Sequence, residues 1–316
     1  MRYIMWSGGW DSTYLLCKRA RESDETIQPI YINYRHGNEV NERKFKKTLL
    51  ALIRAKSDIK AEIREVIEIA EEALPPSVAF DAAYEQCSPY IEELYGDHNL
   101  FRFFGKAALI FPTPEIGMEA PPPGLRENDL GRFGQLLKAH NLLIDKDGNV
   151  DCANADPGFA EVIGCFRYPI LFTNELQMLE DVKAWGYFDD VFQHTWSCYS
   201  SMDRQCGVCR SCEVKWLNGD AFKWRFDEKA QKDHEIKQYL QTLDKDGGTK
   251  YAEYFARYIM NGNWVTVDSG NSGVSTMSTD SDTYKAIQEK SERLMQYFSY
   301  LEKNWPEGRI MNAPLI

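Results

Sequence analysis

The chain has 316 residues, of which 43% are hydrophobic and 13% aromatic. This is the balance of a folded protein long enough for one large domain or two. Its formal net charge of −11 argues against general affinity for nucleic acid, because binding to phosphate backbones runs on Lys and Arg. A local basic pocket for a nucleotide stays open. Apolar runs stop short of the roughly 20 residues a membrane span needs. Tyr3 already enters a strand, which leaves no room for a signal peptide, so the expected setting is cytoplasmic, with no membrane partner.

Tyr3 to Trp6 reads as a short buried strand and Asp11 to Arg21 as the helix after it. The turn between them, Ser7-Gly8-Gly9-Trp10-Asp11-Ser12-Thr13, carries the first chemical signal. Glycines let a backbone approach a phosphate closely. The free N–H groups and positive dipole end of the following helix point into the same turn. Ser7, Ser12 and Thr13 add hydroxyl donors. Asp11 would repel an anion unless it holds Mg²⁺, the usual companion of a triphosphate. The Gly-Lys-Ser/Thr ending of a Walker loop is absent. An ordinary turn with Asp11 as a helix cap is the plainer alternative; the whole hexapeptide between strand and helix favours a pyrophosphate site.

Ile27 to Tyr34 is a second strand, and Glu42 to Ala55 and Ala61 to Ala73 carry helical periodicity. Leu100 to Ile110 is apolar nearly all round and reads as a buried helix, with a strand end expected at Glu115 to Glu119. Helices alternating with short apolar strands predict a mainly parallel α/β sheet with helices on both faces. Pro121-Pro122-Pro123-Gly124 is a rigid surface loop. Asp145 to Gly158 is a turn-rich part of an insertion spanning about 137–165. Its Asp145, Asp147 and Asp151 invite calcium, yet the sixth loop position lacks Gly and the twelfth is Asp156, not Glu.

Of eight cysteines, Cys17, Cys87, Cys152 and Cys165 are scattered and read as neutral thiols. Cys198, Cys206, Cys209 and Cys212 form a compact set of four soft ligands, which suits a closed structural Zn²⁺ site. An iron–sulfur cluster uses the same ligands. Arg210 and Lys215 read as residues that solvate that surface. Beyond it, Tyr251 to Met260 reads as a helix, Asp268 to Asp282 as a Ser/Thr/Gly-rich linker, and Asp282 to Lys303 as an amphipathic helix. The expected division is a catalytic domain over residues 1–216 and a mostly helical extension over 217–316.

The hexapeptide from Ser7 to Ser12 resembles the PP-loop of the N-type ATP pyrophosphatases, which cleave ATP between its α- and β-phosphates. Taken with Thr195-Trp196-Ser197-Cys198-Tyr199 and Cys206-Gly207-Val208-Cys209-Arg210-Ser211-Cys212, it is similar to the 7-cyano-7-deazaguanine synthases. Phe166-Arg167-Tyr168-Pro169-Ile170 through Trp185-Gly186 resembles the family segment before the zinc site. The likeness spans roughly residues 1 to 216.

It implies a Rossmann-like PP-loop domain using ATP, Mg²⁺ and Zn²⁺, acting on a small deazapurine with ammonia, and allows a homodimer. In that reaction the carboxylate of 7-carboxy-7-deazaguanine is adenylated and captured by ammonia as an amide. The amide oxygen is adenylated in turn, and AMP leaves to give the nitrile. The resemblance places Ser7, Gly8, Gly9, Asp11, Ser12 and Thr13 on ATP, and Gly117 close to the adenosine. Tyr34-Arg35-His36-Gly37-Asn38 is similar to a Tyr-Gly-Gln-Arg-His stretch, so Arg35 and His36 join Asp11 and Ser12 as catalytic candidates, with a polar loop as the alternative.

There are departures. Gly96-Asp97-His98-Asn99 lacks an expected arginine, and Glu119 to Glu127 replaces a Tyr-Pro-Asp-Cys-Arg run that helps hold the deazaguanine. A sibling PP-loop enzyme with another carboxylate or carbonyl acceptor therefore stands as the second reading. It includes a tRNA thiolase that would use Cys87 or Cys165. A zinc-stabilised scaffold without chemistry is the third.

Overall fold

The computed structural model describes residues 1–33, 39–95, 100–120, 131–198, 205–207, 212, 215, 216, 218–228, 230, 231 and 234. Tyr34 to Asn38, Gly96 to Asn99, the Pro121-Pro122-Pro123-Gly124 loop, and the expected helices at Tyr251–Met260 and Asp282–Lys303 lie outside the described residues. Met1–Gln205 with Ser211–Arg225 makes one compact unit. Cys206, Gly207 and the described residues from Phe226 onward belong to a second. In that second unit Asp227 Oδ1 accepts from Ala230 N at 2.7 Å, and His234 Nδ1 lies 3.0 Å from Gly207 O.

The first unit is built on four parallel strands, β1 (Arg2–Met5), β2 (Ile27–Asn33), β3 (Ile67–Ala70) and β4 (Glu115–Ile116), in the order β3-β2-β1-β4. This is a Rossmann-like α/β arrangement, as the alternation of elements predicts. The helices are α1 (Trp10–Glu22), α2 (Glu39–Arg54), α3 (Val78–Tyr95), α4 (Leu100–Ala108), α5 (Gly131–Ala139), α6 (Pro157–Val162) and α7 (Glu175–Ala184). A small antiparallel hairpin, β5 (Leu143–Ile144) with β6 (Val150–Asp151), lies before α6.

Strand side chains alternate between two cores. Met5, Ile30, Ile32 and Ile116 pack on one face with Phe80 of α3, Phe101 of α4, Phe133 of α5 and Phe159 of α6. Ile4, Trp6 and Ile27 pack on the other with Leu15 of α1, Leu49 and Ile53 of α2, and Val182 of α7. Helices therefore cover both faces, and parallel strands buried on both sides read as near-continuous apolar runs.

One departure from the sequence reading has a local cause. Ala61 to Ala73 is not a helix: Ile67–Ala70 forms β3, followed by the 3₁₀ turn Glu71–Ala73. Ile63, Val66, Ile67 and Ile69 are β-branched residues that fit a pleated edge better than a helix surface, and exposed glutamates between them imitate amphipathic periodicity. Pro29 sits inside β2, where it offers no N–H to the ladder. The pairing offset shifts by one residue there, from Ile27↔Ile63 to Ile30↔Ile67. The buried Gln28 amide fills the break by donating to Glu65 O at 2.7 Å and Pro29 O at 3.0 Å.

The Asp145 turn closes on itself. Asp145 Oδ1 accepts from the backbone N–H of Asp147 and of Asn149, each at 2.9 Å, and Oδ2 from Asn149 Nδ2 at 2.8 Å. These bonds account for the aspartates as a hairpin device.

At the start of β4 the side chain of Glu115, 1% exposed, ties three arginines together. Arg2 Nη1 donates to Oε1, Arg19 Nε donates to Oε2 at 2.8 Å, and Arg167 Nη1 lies 3.7 Å from Oε1. One carboxylate thus joins β1, α1, β4 and the segment leading to α7. Glu115→Gln should remove the buried countercharge of these guanidiniums, leaving Arg2 only Glu25 and Arg19 only Glu22, and lower stability by about 3 kcal/mol in urea unfolding. A loss below about 0.5 kcal/mol would show that the cluster is not a strut.

Candidate functional site

In an open parallel sheet, ligands gather beyond the carboxyl ends of the strands, where the chain order reverses. Here that point lies between β1 and β4. β1 runs into Ser7-Gly8-Gly9, and β4 runs into Gly117-Met118-Glu119. A cleft of about 240 Å³ opens there.

The glycine turn is held by its own serines. Gly8 takes φ +82°, a conformation that favours glycine, and a Cβ on it would meet Lys46 Cγ at 3.0 Å. Ser7 Oγ accepts from Gly9 N at 3.2 Å and lies 3.2 Å from Ser12 Oγ, which accepts from Ser7 N at 3.3 Å. Gly9 is the N-cap of α1 and supplies no side-chain cap, so no side chain of the cap competes for the first-turn N–H groups. Thr13 lies deeper: it is fully buried, and its hydroxyl accepts from Trp6 Nε1 at 3.1 Å. Gly117 presses against α1, and a Cβ there would stand 2.9 Å from both Ser12 N and Ser12 Cα. Its place is set by backbone contact.

Asp11 of α1, Glu119 after β4 and Glu175 in the first turn of α7 bring carboxylate oxygens within 4.8 Å of one another. Asp11 Oδ1 and Glu119 Oε2 are closed off from solvent and have no hydrogen-bond partner among the described residues. Burial, and then the charge of Asp11, push the Glu119 carboxyl well above the usual carboxylate range. Lys215, 4% exposed, answers this acidity: its ammonium pairs with Glu175 and lies 3.8 Å from Asp11 Oδ1. Burial lowers its pKa from the ordinary lysine value, against the pull of Asp11 and Glu119. Asn218 Nδ2 donates to the other Glu175 oxygen. Hard carboxylate oxygens that lack partners suit a divalent cation such as Mg²⁺.

The segment before Cys198 closes the cleft from the other side. Trp196 N donates to Gly8 O at 3.2 Å, and the Trp196 ring stacks on Phe45 with centroids 5.3 Å apart. Arg225 secures that segment by donating to Phe192 O at 3.3 Å, Thr195 O at 3.2 Å and Thr195 Oγ1. Its guanidinium also stands 5.0 Å from the Trp10 ring centroid. Burial lowers the Arg225 pKa to about 10. Trp6, Tyr31, Ile32, Phe104 and Met118 line the apolar part of the cleft.

Cys198 and Cys212 are buried in the first unit and Cys206 is buried in the second, and none of the three is in a disulfide. Such thiols could hold a metal ion such as zinc, since soft thiolates are its preferred ligands. Cys209 lies outside the described residues, as do Arg35 and His36.

The expected residues Ser7, Gly9, Asp11, Ser12 and Gly117 therefore meet at one cleft, with Gly8 in the same turn packed against Lys46 and Thr13 beneath. Three participants escaped the sequence reading. Glu175 looks like an ordinary acidic first-turn residue behind its N-cap Asn174. Glu119 marked only a departure from a family pattern. Lys215, read as a surface residue, is instead buried among carboxylates. Its short spacing after Cys212 was the available signal. Cys87, fully buried, has its thiol pushed up to about 12 by burial, and burial also raises Cys165 strongly. Neither lines the cleft.

Among the described residues no helix is long and apolar enough to cross a membrane.

Two outcomes follow from this geometry. Elemental analysis of purified protein should find about one zinc per chain, and Cys206→Ser or prolonged chelation should remove it and lower the melting temperature. A metal-free protein with the same melting temperature would contradict the cysteine site. Gly117→Ala should displace the first turn of α1 and cost about 1–3 kcal/mol in denaturant unfolding. Wild-type stability would mean that the close approach is not rigid.

No protein-family model, curated protein or solved structure matches the chain.

Proposed function

We propose that the chain is an ATP-dependent ligase of the PP-loop type that adenylates a carboxylate and replaces oxygen with nitrogen derived from ammonia. The observation that carries this reading is the meeting of a serine-locked glycine turn, the open N-terminus of α1 and three carboxylates at one strand-end cleft. N–H groups receive phosphate oxygens there. Mg²⁺ held by Asp11, with Glu119 and Glu175 in reach, would neutralise polyphosphate charge. Ser7 and Ser12 would hold the turn in shape while the α-phosphorus is attacked.

The chemistry balances without a covalent enzyme intermediate. A substrate carboxylate oxygen attacks the α-phosphorus and pyrophosphate leaves. Ammonia attacks the acyl carbon, AMP leaves with the carboxylate oxygen, and a proton is released to give an amide. In the 7-cyano-7-deazaguanine synthase type, the amide oxygen is adenylated in turn and leaves with AMP as the nitrile forms. Trp6, Tyr31 and Phe104 provide apolar surface for a flat base, so the substrate we infer is 7-carboxy-7-deazaguanine.

The second reading keeps the same activation with another carboxylate or carbonyl acceptor. It is favoured by Glu119, an acid standing where the resembled family carries a deazaguanine-binding run. A tRNA thiolase is the weaker form of it, because Cys87 is buried, Cys165 is half-buried, and neither lines the cleft.

Mass spectrometry of a reaction with Mg-ATP, ammonium and 7-carboxy-7-deazaguanine tests the proposal. The expected products are AMP, pyrophosphate and a deazaguanine amide or nitrile. Asp11→Asn should lower AMP formation by about 100-fold or more. AMP formation without a deazaguanine product would favour the second reading. Full activity of Asp11→Asn would refute the site.

A further inference from the structure

A triphosphate brought next to Asp11, Glu119 and Glu175 needs positive charge beyond one divalent cation, and this glycine turn carries no lysine of its own. Lys215 is the only cationic side chain among the described residues that line the cleft. Of the other buried cations nearby, Arg225 is committed to the carbonyls of Phe192 and Thr195, and Lys46, packed beside Gly8, lies 3.6 Å from Glu68 and does not line the cleft. We propose that Lys215 is a pyrophosphate-contact residue that exchanges partners: it pairs with Glu175 and Asp11 until a divalent cation takes those carboxylates, and then pairs with phosphate oxygens. The proposal rests on the nucleotide reading above and names the residue that supplies the missing charge.

The geometry supports the exchange. The ammonium already touches Glu175 and stands 3.8 Å from Asp11 Oδ1. Asp11 belongs to the first turn of α1, and Trp10, Asp11 and Ser12 line the same cleft. A short swing of the lysine end therefore carries it from carboxylate to phosphate. Its position is confined by the Trp10 and Phe222 rings, whose centroids lie 5.8 and 5.5 Å from Nζ. The cysteines frame the delivery: Lys215 follows Cys212 by three residues, and Trp196, bonded to Gly8 O, precedes Cys198 by two. A cation and Lys215 compete for the same oxygens, whereas a cation and a nucleotide bind together. Removing the lysine should thus act in opposite directions on the two ligands.

The test uses the full chain and two binding readouts: Mn²⁺ alone by electron paramagnetic resonance, and α,β-methylene-ATP with Mg²⁺ by calorimetry. Lys215→Met should tighten Mn²⁺ alone and weaken the nucleotide analogue, each by about tenfold. Lys215→Arg should retain most of the analogue affinity. Parallel weakening of both ligands, or unchanged analogue binding, would overturn the exchange. Wild-type protein that binds Mn²⁺ but no analogue would refute the nucleotide reading, and the exchange with it.

Lys215→Met leaves Glu175 buried without its partner and risks misfolding. The neutral pair Glu175→Gln/Lys215→Met covers that case by comparison with Glu175→Gln alone. Weaker analogue binding in the pair supports the proposal, and equal binding rejects it.

Discussion

Carboxylates out of reach of water are costly unless each finds a cation or a proton. Asp11, Glu119 and Glu175 converge within 4.8 Å, and Lys215 is the cation that meets them. Burial and the neighbouring Asp11 drive Glu119 toward its protonated form. Much of the surrounding structure follows from holding this cluster together. α1, the segment after β4, α7 and the chain after Cys212 each supply one charged group. None can move far without stranding another. A hard divalent cation would relieve the same imbalance, which is why the cluster is the basis of the proposed nucleotide site.

The sheet provides the rigidity that this arrangement requires. Gly117 meets Ser12 backbone to backbone, so β4 and the first turn of α1 are fixed relative to each other. At the opposite end of those elements, Glu115 gathers Arg2, Arg19 and Arg167. One buried carboxylate thus joins elements at the amino ends of the strands, while three converge beyond the carboxyl ends. The contrast lies in the partners: Glu115 is surrounded by guanidiniums, whereas among the described residues Asp11 Oδ1 and Glu119 Oε2 have no hydrogen-bond partner.

Local pattern made part of this legible. β1, β2, α1 and α4 could be read from short apolar runs and from periodicity. The glycine turn and the clustered cysteines could be read from spacing. β3 was hidden because glutamates between its isoleucines imitate a helix face, and only pairing with β2 makes it a strand. α3, with Pro89 inside it, carried no plain signal. The carboxylate cluster was the least readable part, since Asp11, Glu119, Glu175 and Lys215 are far apart in the chain and only the sheet order joins them. Glu175 follows a capping asparagine and so has a local explanation that conceals its place in the site.

The decisive measurement is a crystal structure of the full chain with Mn²⁺ and α,β-methylene-ATP. An anomalous Mn²⁺ peak is expected among Asp11, Glu119 and Glu175, with phosphate oxygens against the N–H groups of Gly9 and the first turn of α1. Mn²⁺ bound elsewhere, or a nucleotide seated away from Ser7 to Ser12, would overturn the proposed site.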